Sequence, residues 1–307
     1  MIKLLPEEYK PMAQYIYSLC AVTLDVSKSY LIEGRLGGQV EETGCASFNG
    51  LLQRATTDRG LQRRMIDAIT TNETLFFRDT APFDLLRHKI VPDLIDRRAR
   101  TGSARIRIWS AACSTGQEIY SIAILLKELL GDPERYGVRL IGTDISDDAV
   151  TRASRGVYNE AEISRGLSEP LRDKYFVRSP KGWQIRDEIR GMASFKHLNL
   201  MEDLSSMGKF DVVFCRNVAI YFTDPDRISL FRRLEQAMEP NGYLVVGSME
   251  SLATICPQFE SKRHLRSVFY QVRNAAPVQA VRPAVPARAP LPGLTRERQL
   301  VPGGASR

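Results

Sequence analysis

The chain has 307 residues, of which 43% are hydrophobic and 26% charged, the composition of a globular protein long enough for two domains. No apolar run approaches the roughly 20 residues of a membrane helix, and the first residues, MIKLLPEEYKP, lack the apolar stretch of a secretory signal. We therefore expect a cytoplasmic protein that does not insert into a membrane. The net charge of +7 includes +4 from residues 275–307, which hold five arginines and one glutamate, so the remaining +3 does not indicate a nucleic-acid-binding protein. The five cysteines form no C-x-x-C pair and only three histidines are present, so we predict no metal site and no disulfide framework.

The first 70 residues are predicted to form an all-helical domain. Apolar side chains recur at helical spacing, first at Tyr9, Met12, Ile16 and Leu19. Asp25 is a candidate N-cap for the next helix. Because this region has no Gly-rich loop, we interpret it as a recognition or packing domain rather than a catalytic one.

Four arginines lie close together in this predicted domain: Arg54, Arg59, Arg63 and Arg64. A group of cations at such spacing is often an ordinary solvated helix face. The alternative is a docking face for an acidic helical partner, and the pattern alone leaves both interpretations open.

The segment TTNETLFFRD, residues 70–79, follows the helical domain. It combines hydrogen-bonding side chains with two aromatic residues and a fixed cation, which a simple linker rarely does. We therefore predict that it packs over a site, with Asn72, Thr74 and Arg78 facing that site. Residues 83–98 then predict an amphipathic helix that leads to the first strand.

Residues 106–126 predict a strand, a tight loop and a helix, the first unit of a nucleotide-binding α/β sheet. The strand IRIW is followed by the loop SAACSTG and then by apolar residues at helical spacing. Small side chains let the backbone approach a ligand, and the helix N-terminus offers free N–H groups. The loop lacks the full G-x-G-x-x-G set, so an ordinary strand-to-helix turn is the alternative.

Asp144 ends the second apolar run, VRLIGTD. An acid at the tip of the second strand is placed to accept hydrogen bonds from the ribose hydroxyls of an adenosine. The alternative is that Asp144 caps the helix that starts near Asp147, which would leave the preceding loop unexplained.

The remaining elements complete the α/β sheet and add a small antiparallel insert. They are a helix at 147–155, a hairpin at 175–178 and 183–186, strands at 194–200, 210–217 and 242–247, a helix at 231–238, and a last, edge strand at 268–272. Ligands lie outside the carboxyl ends of strands in a doubly wound sheet, so we expect Arg216, Asn217 and Tyr221 at the ligand. Residues 275–307, rich in Pro, Ala and Arg, predict a disordered tail.

The loop, the acid and the polar strand tip together indicate an adenosine-containing ligand, either a nicotinamide dinucleotide or S-adenosylmethionine. The full dinucleotide fingerprint is absent, and no acid–base set for hydride transfer is visible. A diphosphate also needs more backbone donors than this loop offers, so S-adenosylmethionine is favoured.

Four sequence blocks resemble those of the CheR family, the chemotaxis receptor glutamate methyltransferases. They are TTNETLFFRD, WSAACSTGQEIYSIAI, IGTDIS and FCRNVAIYF, in the family's order and spacing, with YLIEGRL in the helical region. The resemblance covers residues 9–272. It implies an all-α receptor-recognition domain at 1–70, followed at 71–274 by a doubly wound class I S-adenosylmethionine-dependent methyltransferase domain with a β insert at about 171–196.

What the resemblance implies is methyl transfer from S-adenosylmethionine to glutamate side chains in the cytoplasmic helical bundle of a chemoreceptor, giving methyl esters. By the family pattern the cofactor contacts are Asn72, Thr74, Arg78, Glu118, Asp144, Asn199, Leu200, Arg216 and Asn217. Arg78 and Tyr221 are expected to orient the substrate carboxylate. The arginines of the helical domain fit such an acidic, Glu-bearing partner.

Two features separate this chain from related enzymes. Amino-methylating nucleic-acid enzymes have an (Asp/Asn)-Pro-Pro-aromatic tip after the fourth strand, where this chain reads RNVA. The hairpin turn at 179–182 is short, whereas some family members have a longer, Gly-rich loop there that docks a peptide from the receptor C-terminus. We therefore expect activity that does not depend on this tether. The alternative function is a non-catalytic S-adenosylmethionine-binding signalling protein, against which the presence of Arg78, Asp144 and Tyr221 argues.

Overall fold

The computed structural model describes residues 2–101 and 105–273, and the predicted tail at 275–307 lies outside them. The N-terminal region is all-helical, as the sequence predicts. Its α-helices are α1 (Pro6–Cys20), α2 (Ser29–Glu42), α3 (Phe48–Ala55) and α4 (Arg59–Ile69). Their buried apolar side chains, among them Met12, Leu36 and Met65, form one core.

Side-chain caps explain where helix α4 and the 3₁₀ turn before α2 begin. Asp58 Oδ1 accepts a hydrogen bond from the Leu61 N–H at 2.9 Å and so caps α4. Asp25 was expected to cap the second helix, but its Oδ1 accepts from the Ser27 N–H at 2.9 Å and caps a 3₁₀ turn instead. Because this turn leads directly into α2, the predicted start of that helix is a few residues early.

The predicted helix at 83–98 is part of a longer helical run. This run consists of α5 (Thr80–Leu85), a π-helical turn (Leu86–Ile90) and α6 (Val91–Thr101). None of the helices within residues 2–101 and 105–273 combines the length and the hydropathy needed to span a bilayer.

Residues 105–273 contain ten strands, which form a large and a small sheet. They are β1 (Ile106–Ala111), β2 (Val138–Asp144), β3 (Val157–Tyr158), β4 (Phe176–Ser179), β5 (Gly182–Ile185), β6 (Ala193–His197), β7 (Phe210–Cys215), β8 (Met238–Val246), β9 (Phe259–His264) and β10 (Ser267–Val272). The large sheet has the order β6-β2-β1-β7-β8-β10-β9. Its neighbours from β6 to β8 run parallel, whereas β10 pairs antiparallel with both β8 and β9.

The prediction that the strand at 268–272 forms the edge of the sheet is wrong. β9 pairs along the outer side of β10 and is the edge strand. Its sequence, FESKRH, has charged residues where an apolar–polar alternation would require apolar ones, so the pattern did not identify it. Charged side chains on an exposed edge discourage pairing with another chain.

Helices cover both faces of the large sheet. The helices that follow β1 in the chain are α7 (Gln117–Leu130), α8 (Asp147–Arg155), α9 (Glu160–Ser164), α10 (Glu169–Tyr175), α11 (Asp187–Arg190) and α12 (Asp224–Gln236), of which α9 and α10 pack against the small sheet. Successive side chains of β1 point to opposite faces, so that Ile108 joins the core that includes α7 and Trp109 joins the core that includes α12. A mostly parallel sheet between two helical layers is the doubly wound fold that the sequence predicts.

The predicted antiparallel insert is a three-stranded sheet with the order β3-β5-β4. β4 and β5 form the predicted hairpin with only Pro180 and Lys181 between them, and β3 adds a two-residue strand that sequence analysis missed. The Trp183 ring of β5 contacts two guanidinium groups, with the Cζ atoms of Arg172 and Arg178 at 4.8 and 4.1 Å from its centroid. The cation–π contact with Arg172 holds the hairpin against α10, and that with Arg178 links β4 and β5 within the hairpin.

Candidate active site

A cleft lies at the carboxyl ends of β1, β2, β6 and β7, where a doubly wound sheet places its ligands. It encloses about 1080 Å³ of empty space, part of it open solvent. Its lining includes every residue that sequence analysis predicted for the cofactor or the substrate carboxylate: Asn72, Thr74, Arg78, Glu118, Asp144, Asn199, Leu200, Arg216, Asn217 and Tyr221. The tertiary structure therefore brings together side chains from the 70–79 segment, the first turn of α7 and three strand ends.

Asp144 is buried at the tip of β2, and both of its carboxylate oxygens accept backbone hydrogen bonds. Oδ2 accepts from the Ser114 N–H at 2.8 Å and Oδ1 from the Ser146 N–H at 3.0 Å. Burial raises the pKa of the Asp144 carboxyl above its usual value, and the N–H groups of Ser146 and Ser114 oppose that shift. The alternative that Asp144 caps α8 is wrong, because the cap is Ser146, whose Oγ accepts from the Ala149 N–H at 3.0 Å.

The small-residue loop after β1 adopts a conformation that explains its composition. Ala112 and Ser114 have φ values of +59° and +51°, in the left-handed region, and Gly116 has φ +95°. A Cβ atom at Gly116 would lie 3.0 Å from the Cβ of Ala153 on α8, so a larger residue there would push the helix away. The loop is therefore not an ordinary strand-to-helix turn, since its backbone curls to donate the Ser114 N–H to Asp144.

Arg216 holds the wall of the cleft together. Its side chain is only 2% exposed, and its Nη1 lies 2.9 Å from Glu118 Oε2. Its Nη2 lies 2.7 Å from Asp79 Oδ2 and donates to the Arg78 carbonyl at 2.8 Å. Glu118 accepts a further hydrogen bond at Oε1 from Ser110 Oγ, at 2.8 Å. The guanidinium thus fixes the 70–79 segment, the start of α7 and the end of β7 relative to one another.

Arg78 and Tyr221, the predicted substrate-orienting pair, both line the cleft and are both half-buried. Arg78 Nη1 donates to the Glu73 carbonyl at 2.9 Å, which steers the guanidinium back over its own segment. The Tyr221 carbonyl accepts hydrogen bonds from the N–H and the Oγ1 of Thr23, at 3.1 and 2.7 Å. The position of Tyr221 is therefore set partly by the helical region.

The helical region forms one side of the cleft, a role that sequence analysis missed. Cys20, Val22 and Ile69 are among the lining residues. Asn199 Nδ2 donates to the Leu19 carbonyl at 3.2 Å, which ties the loop after β6 to the end of α1. These contacts join residues far apart in the chain, so no local pattern indicates them.

Two further contacts connect α4 with the start of α8. Ser146 Oγ donates to Asp67 Oδ1 at 2.7 Å, and Arg63 Nε lies 3.5 Å from Asp147 Oδ2. Since Ser146 also donates its backbone N–H to Asp144, the helical region is linked through one residue to the buried acid.

The four arginines predicted to bind a partner are all exposed on α3 and α4. Arg54 Nη1 donates to the Thr43 carbonyl at 2.8 Å, and Arg63 makes the ion pair with Asp147. Two of the four cations, Arg54 and Arg63, therefore also have contacts within the molecule.

The titratable groups of the cleft favour binding and orientation over acid–base chemistry. Burial raises the pKa of Cys20 to about 11 and that of Cys113 well above its usual range, so both thiols are neutral at pH 7. Within the part of the chain that the structure describes, no histidine or lysine lines the cleft. No three His, Cys, Asp or Glu side chains of those residues are grouped to hold a metal ion.

Two family models match almost the whole described chain. The model "CheR methyltransferase, all-alpha domain" matches residues 7–70, and "CheR methyltransferase, SAM binding domain" matches residues 72–267. The boundary between the two matches falls where the helices end and the 70–79 segment begins.

Curated relatives agree with these matches. The chain is 37% identical over 265 residues to chemotaxis protein methyltransferase 1 of Pseudomonas aeruginosa, covering 84% of this chain and 95% of that protein. It is 36% identical over 273 residues to chemotaxis protein methyltransferase Cher2 of Pseudomonas putida, covering 87% and 98%. Among solved structures, magnesium protoporphyrin IX methyltransferase of Synechocystis with bound SAM is a distant neighbour, with a TM-score of 0.35 and 14% identity over 73% of this chain and 96% of that one.

Proposed function

The chain belongs to the CheR methyltransferase family, whose methyl donor is S-adenosylmethionine, and we propose that its acceptors are glutamate side chains of chemoreceptors, which become methyl esters. The observation that supports this proposal best is that Asp144 and Arg78 line one cleft. A buried acid suited to a ribose and a guanidinium suited to a carboxylate then lie within reach of one bound cofactor.

The cleft fits S-adenosylmethionine in its chemistry. Each Asp144 oxygen accepts one backbone hydrogen bond, which leaves a lone pair on each for a ribose hydroxyl. Glu118 likewise retains lone pairs for an ammonium group beside its bonds to Arg216 and Ser110.

The other lining residues complete the proposed cofactor site. Asn72, Thr74 and Arg78 would contact the amino-acid end of the cofactor. The pocket would be completed by Asn199, Leu200, Arg216 and Asn217. Of these, Arg216 would act chiefly through the wall that its ion pairs hold together.

A glutamate acceptor suits a cleft whose described lining offers no histidine or lysine as a general base. A free glutamate has a pKa of about 4.3, so it is ionised and nucleophilic at pH 7. When bound, S-adenosylmethionine supplies a methyl carbon that bonds to a carboxylate oxygen as the carbon–sulfur bond breaks. Arg78 would donate its planar fork to the other carboxylate oxygen, and Tyr221 would limit the orientation of the side chain. Catalysis then consists mainly of positioning.

We further propose that the protein acts in the cytoplasm, on the acidic helical bundle of its receptor. The helical domain, which we propose spans residues 1–70, would contact that bundle through the exposed Arg54, Arg59, Arg63 and Arg64. The methyltransferase domain would then span residues 71–274. Because only Pro180 and Lys181 separate β4 and β5, the hairpin offers no long loop for a tethering peptide, which supports activity independent of one.

The test is incubation of the full chain with methyl-labelled S-adenosylmethionine and receptor cytoplasmic fragments, followed by mass mapping. We expect glutamates to become labelled, and alkali to release this label as methanol. The rate of labelling should be equal for fragments with and without the receptor's C-terminal peptide. Label that resists alkali would contradict the ester. Cofactor binding without any transfer would favour the non-catalytic signalling protein. Tight binding of the peptide in calorimetry would contradict tether independence alone.

A further inference from the structure

Glu250 links the ends of two neighbouring parallel strands beside the cleft. Only 5% of this residue is exposed. Its Oε2 accepts hydrogen bonds from the N–H of Asn217, at 2.7 Å, and from the N–H of Gly247, at 2.8 Å. Asn217 follows β7 and Gly247 follows β8, so one carboxylate oxygen holds both strand ends together.

The bond to Asn217 stabilises a backbone conformation that few residues adopt. Asn217 has a φ of +59°, in the left-handed region. On one side of it, the side chain of Arg216 is anchored to Glu118. On the other side the chain turns so that Tyr221 also lines the cleft. Glu250 supplies the second anchor, and the two together fix the backbone at Asn217, which is one of the residues that line the cleft.

Gly247 shows how closely the two strand ends approach. A Cβ atom built on Gly247 would lie 2.7 Å from Glu250 Oε2 and 2.9 Å from Asn217 Nδ2. Both distances are shorter than a van der Waals contact, so any side chain at this position displaces the carboxylate or the amide.

We propose that Glu250 is a positioning residue of the methyltransferase site, which sets the orientation of Asn217 and through it the affinity for the cofactor. This inference rests on the proposed contact between Asn217 and S-adenosylmethionine. Hydrogen bonds from N–H groups to a carboxylate are stronger than those to a neutral acceptor. Among the described residues Glu250 Oε1 has no hydrogen-bond partner, so the anchor depends on Oε2.

The test measures the affinity of the full chain for S-adenosylhomocysteine by calorimetry. In Glu250→Gln the amide oxygen still accepts both N–H bonds but carries no charge. Its NH₂ group then takes the place of Oε1, where the described residues offer no acceptor. We expect binding about tenfold weaker than in the wild type. Gly247→Ala, which displaces the same carboxylate or the Asn217 amide beside it without changing any charge, should weaken binding to a similar extent.

Asp211→Asn is the control, because Asp211 is another buried carboxylate that accepts a backbone hydrogen bond. Asp211 is also 5% exposed, its Oδ2 accepts from the Arg107 N–H at 2.9 Å, and its Oδ1 forms an ion pair with Arg98. It lies in the second position of β7, at the end away from the cleft. We expect both Asp211→Asn and Glu250→Gln to unfold at a lower urea concentration than the wild type, and Asp211→Asn to keep wild-type affinity. An equal loss of affinity in Asp211→Asn would overturn the inference, because general loosening of the sheet would then explain it.

Asn217→Ala separates the inference from the proposed function. We expect this variant to bind weakly, and the effect of Glu250→Gln to shrink in its background, because the two changes act on one contact. Normal binding by Asn217→Ala would contradict the proposed role of Asn217. Weak binding by Asn217→Ala with wild-type binding by folded Glu250→Gln and Gly247→Ala would contradict the role of Glu250.

Discussion

The guanidinium of Arg216 and the carboxylate of Glu118 form an ion pair in the cleft wall, with Nη1 and Oε2 2.9 Å apart. The Arg216 side chain is 2% exposed and that of Glu118 14%, so water screens the pair little. Asp79 completes the arrangement at 2.7 Å from Nη2. Two acids share one cation, and each would be left without its buried partner if the cation were removed.

Arg216→Met is therefore expected to lower the free energy of unfolding by about 3–5 kcal/mol, the cost of removing one partner of a buried ion pair. Urea denaturation measures this change. Arg135→Met is the control, because Arg135 is 82% exposed in its ion pair with Asp132 and its loss should cost at most about 1 kcal/mol. Equal changes in the two variants would show that the buried pair is no more stabilising than a surface one.

The raised pKa of Asp144 predicts that acid weakens cofactor binding and increases the contribution of Asp144 itself to the stability of the free protein. Only the ionised carboxylate accepts from two ribose hydroxyls, so affinity should fall as pH falls through a pKa above 3.8. The folded state binds this proton more tightly than the unfolded state. The contribution of Asp144 to stability should therefore fall as pH rises from 3.8 to the folded pKa.

The variant Asp144→Asn provides the comparison for both pH effects. In calorimetry, the variant should bind S-adenosylhomocysteine weakly, and its affinity should not fall further as pH falls through the pKa of Asp144. The unfolding free energy of the wild type relative to the variant should rise as pH falls, whereas the affinity of the wild type falls. The same acid step in both proteins would assign it to another group.

Arg78→Ala should abolish methyl transfer and leave the fold intact. The described contacts of its guanidinium consist of one hydrogen bond to the Glu73 carbonyl of its own segment, so little packing is lost. We expect kcat/KM to fall by about 100-fold or more, because the acceptor carboxylate loses its orienting donor. Arg78→Lys keeps the charge without the planar fork and should recover only part of the rate. Near-normal turnover in a folded Arg78→Ala would contradict the assignment.

Thr23→Val tests whether the helical domain positions Tyr221. The substitution removes the 2.7 Å bond from Thr23 Oγ1 to the Tyr221 carbonyl and keeps the backbone N–H bond. We expect kcat to fall about fivefold, the effect of one hydrogen bond worth about 1 kcal/mol. Thr56→Val is the control, since its Oγ1 bonds only locally, to the Gln53 carbonyl. A Thr23→Val enzyme as active as this control would mean that Tyr221 is held by its own loop.

Arg59→Ala combined with Arg64→Ala should raise the KM for the receptor and leave the cofactor affinity unchanged. Both side chains are exposed on α4, and neither is among the residues that line the cleft. The effect should shrink as salt is raised, because exposed charges about 10 Å apart are screened at 0.1 M ionic strength. Arg135→Ala removes one exposed cation outside α4 and should leave the KM unchanged. An unchanged KM in the double variant would favour the alternative that these arginines form an ordinary solvated helix face and do not bind the receptor.

Much of the fold was predictable because it follows from local patterns. The apolar–polar alternation of β1 and the spacing of apolar residues in α7 depend only on neighbours in the chain. The carboxyl ends of parallel strands meet at one edge, so the predicted strand order along the chain was enough to expect Asp144 and Arg216 in one cleft. β9 was missed because its outer position lets it carry charged residues, which obscure the alternation.

What the pattern of residues did not contain was the way in which distant segments meet. Thr23 contacts Tyr221, and Glu250 contacts Asn217, across chain separations for which no spacing rule exists. Such pairs form only after two elements have packed, since packing decides which backbone groups lose water and need a partner. The polar residues that line the cleft were therefore visible in the sequence. The apolar wall that Cys20, Val22 and Ile69 contribute, and the groups that hold the polar residues in place, were decided by the tertiary structure.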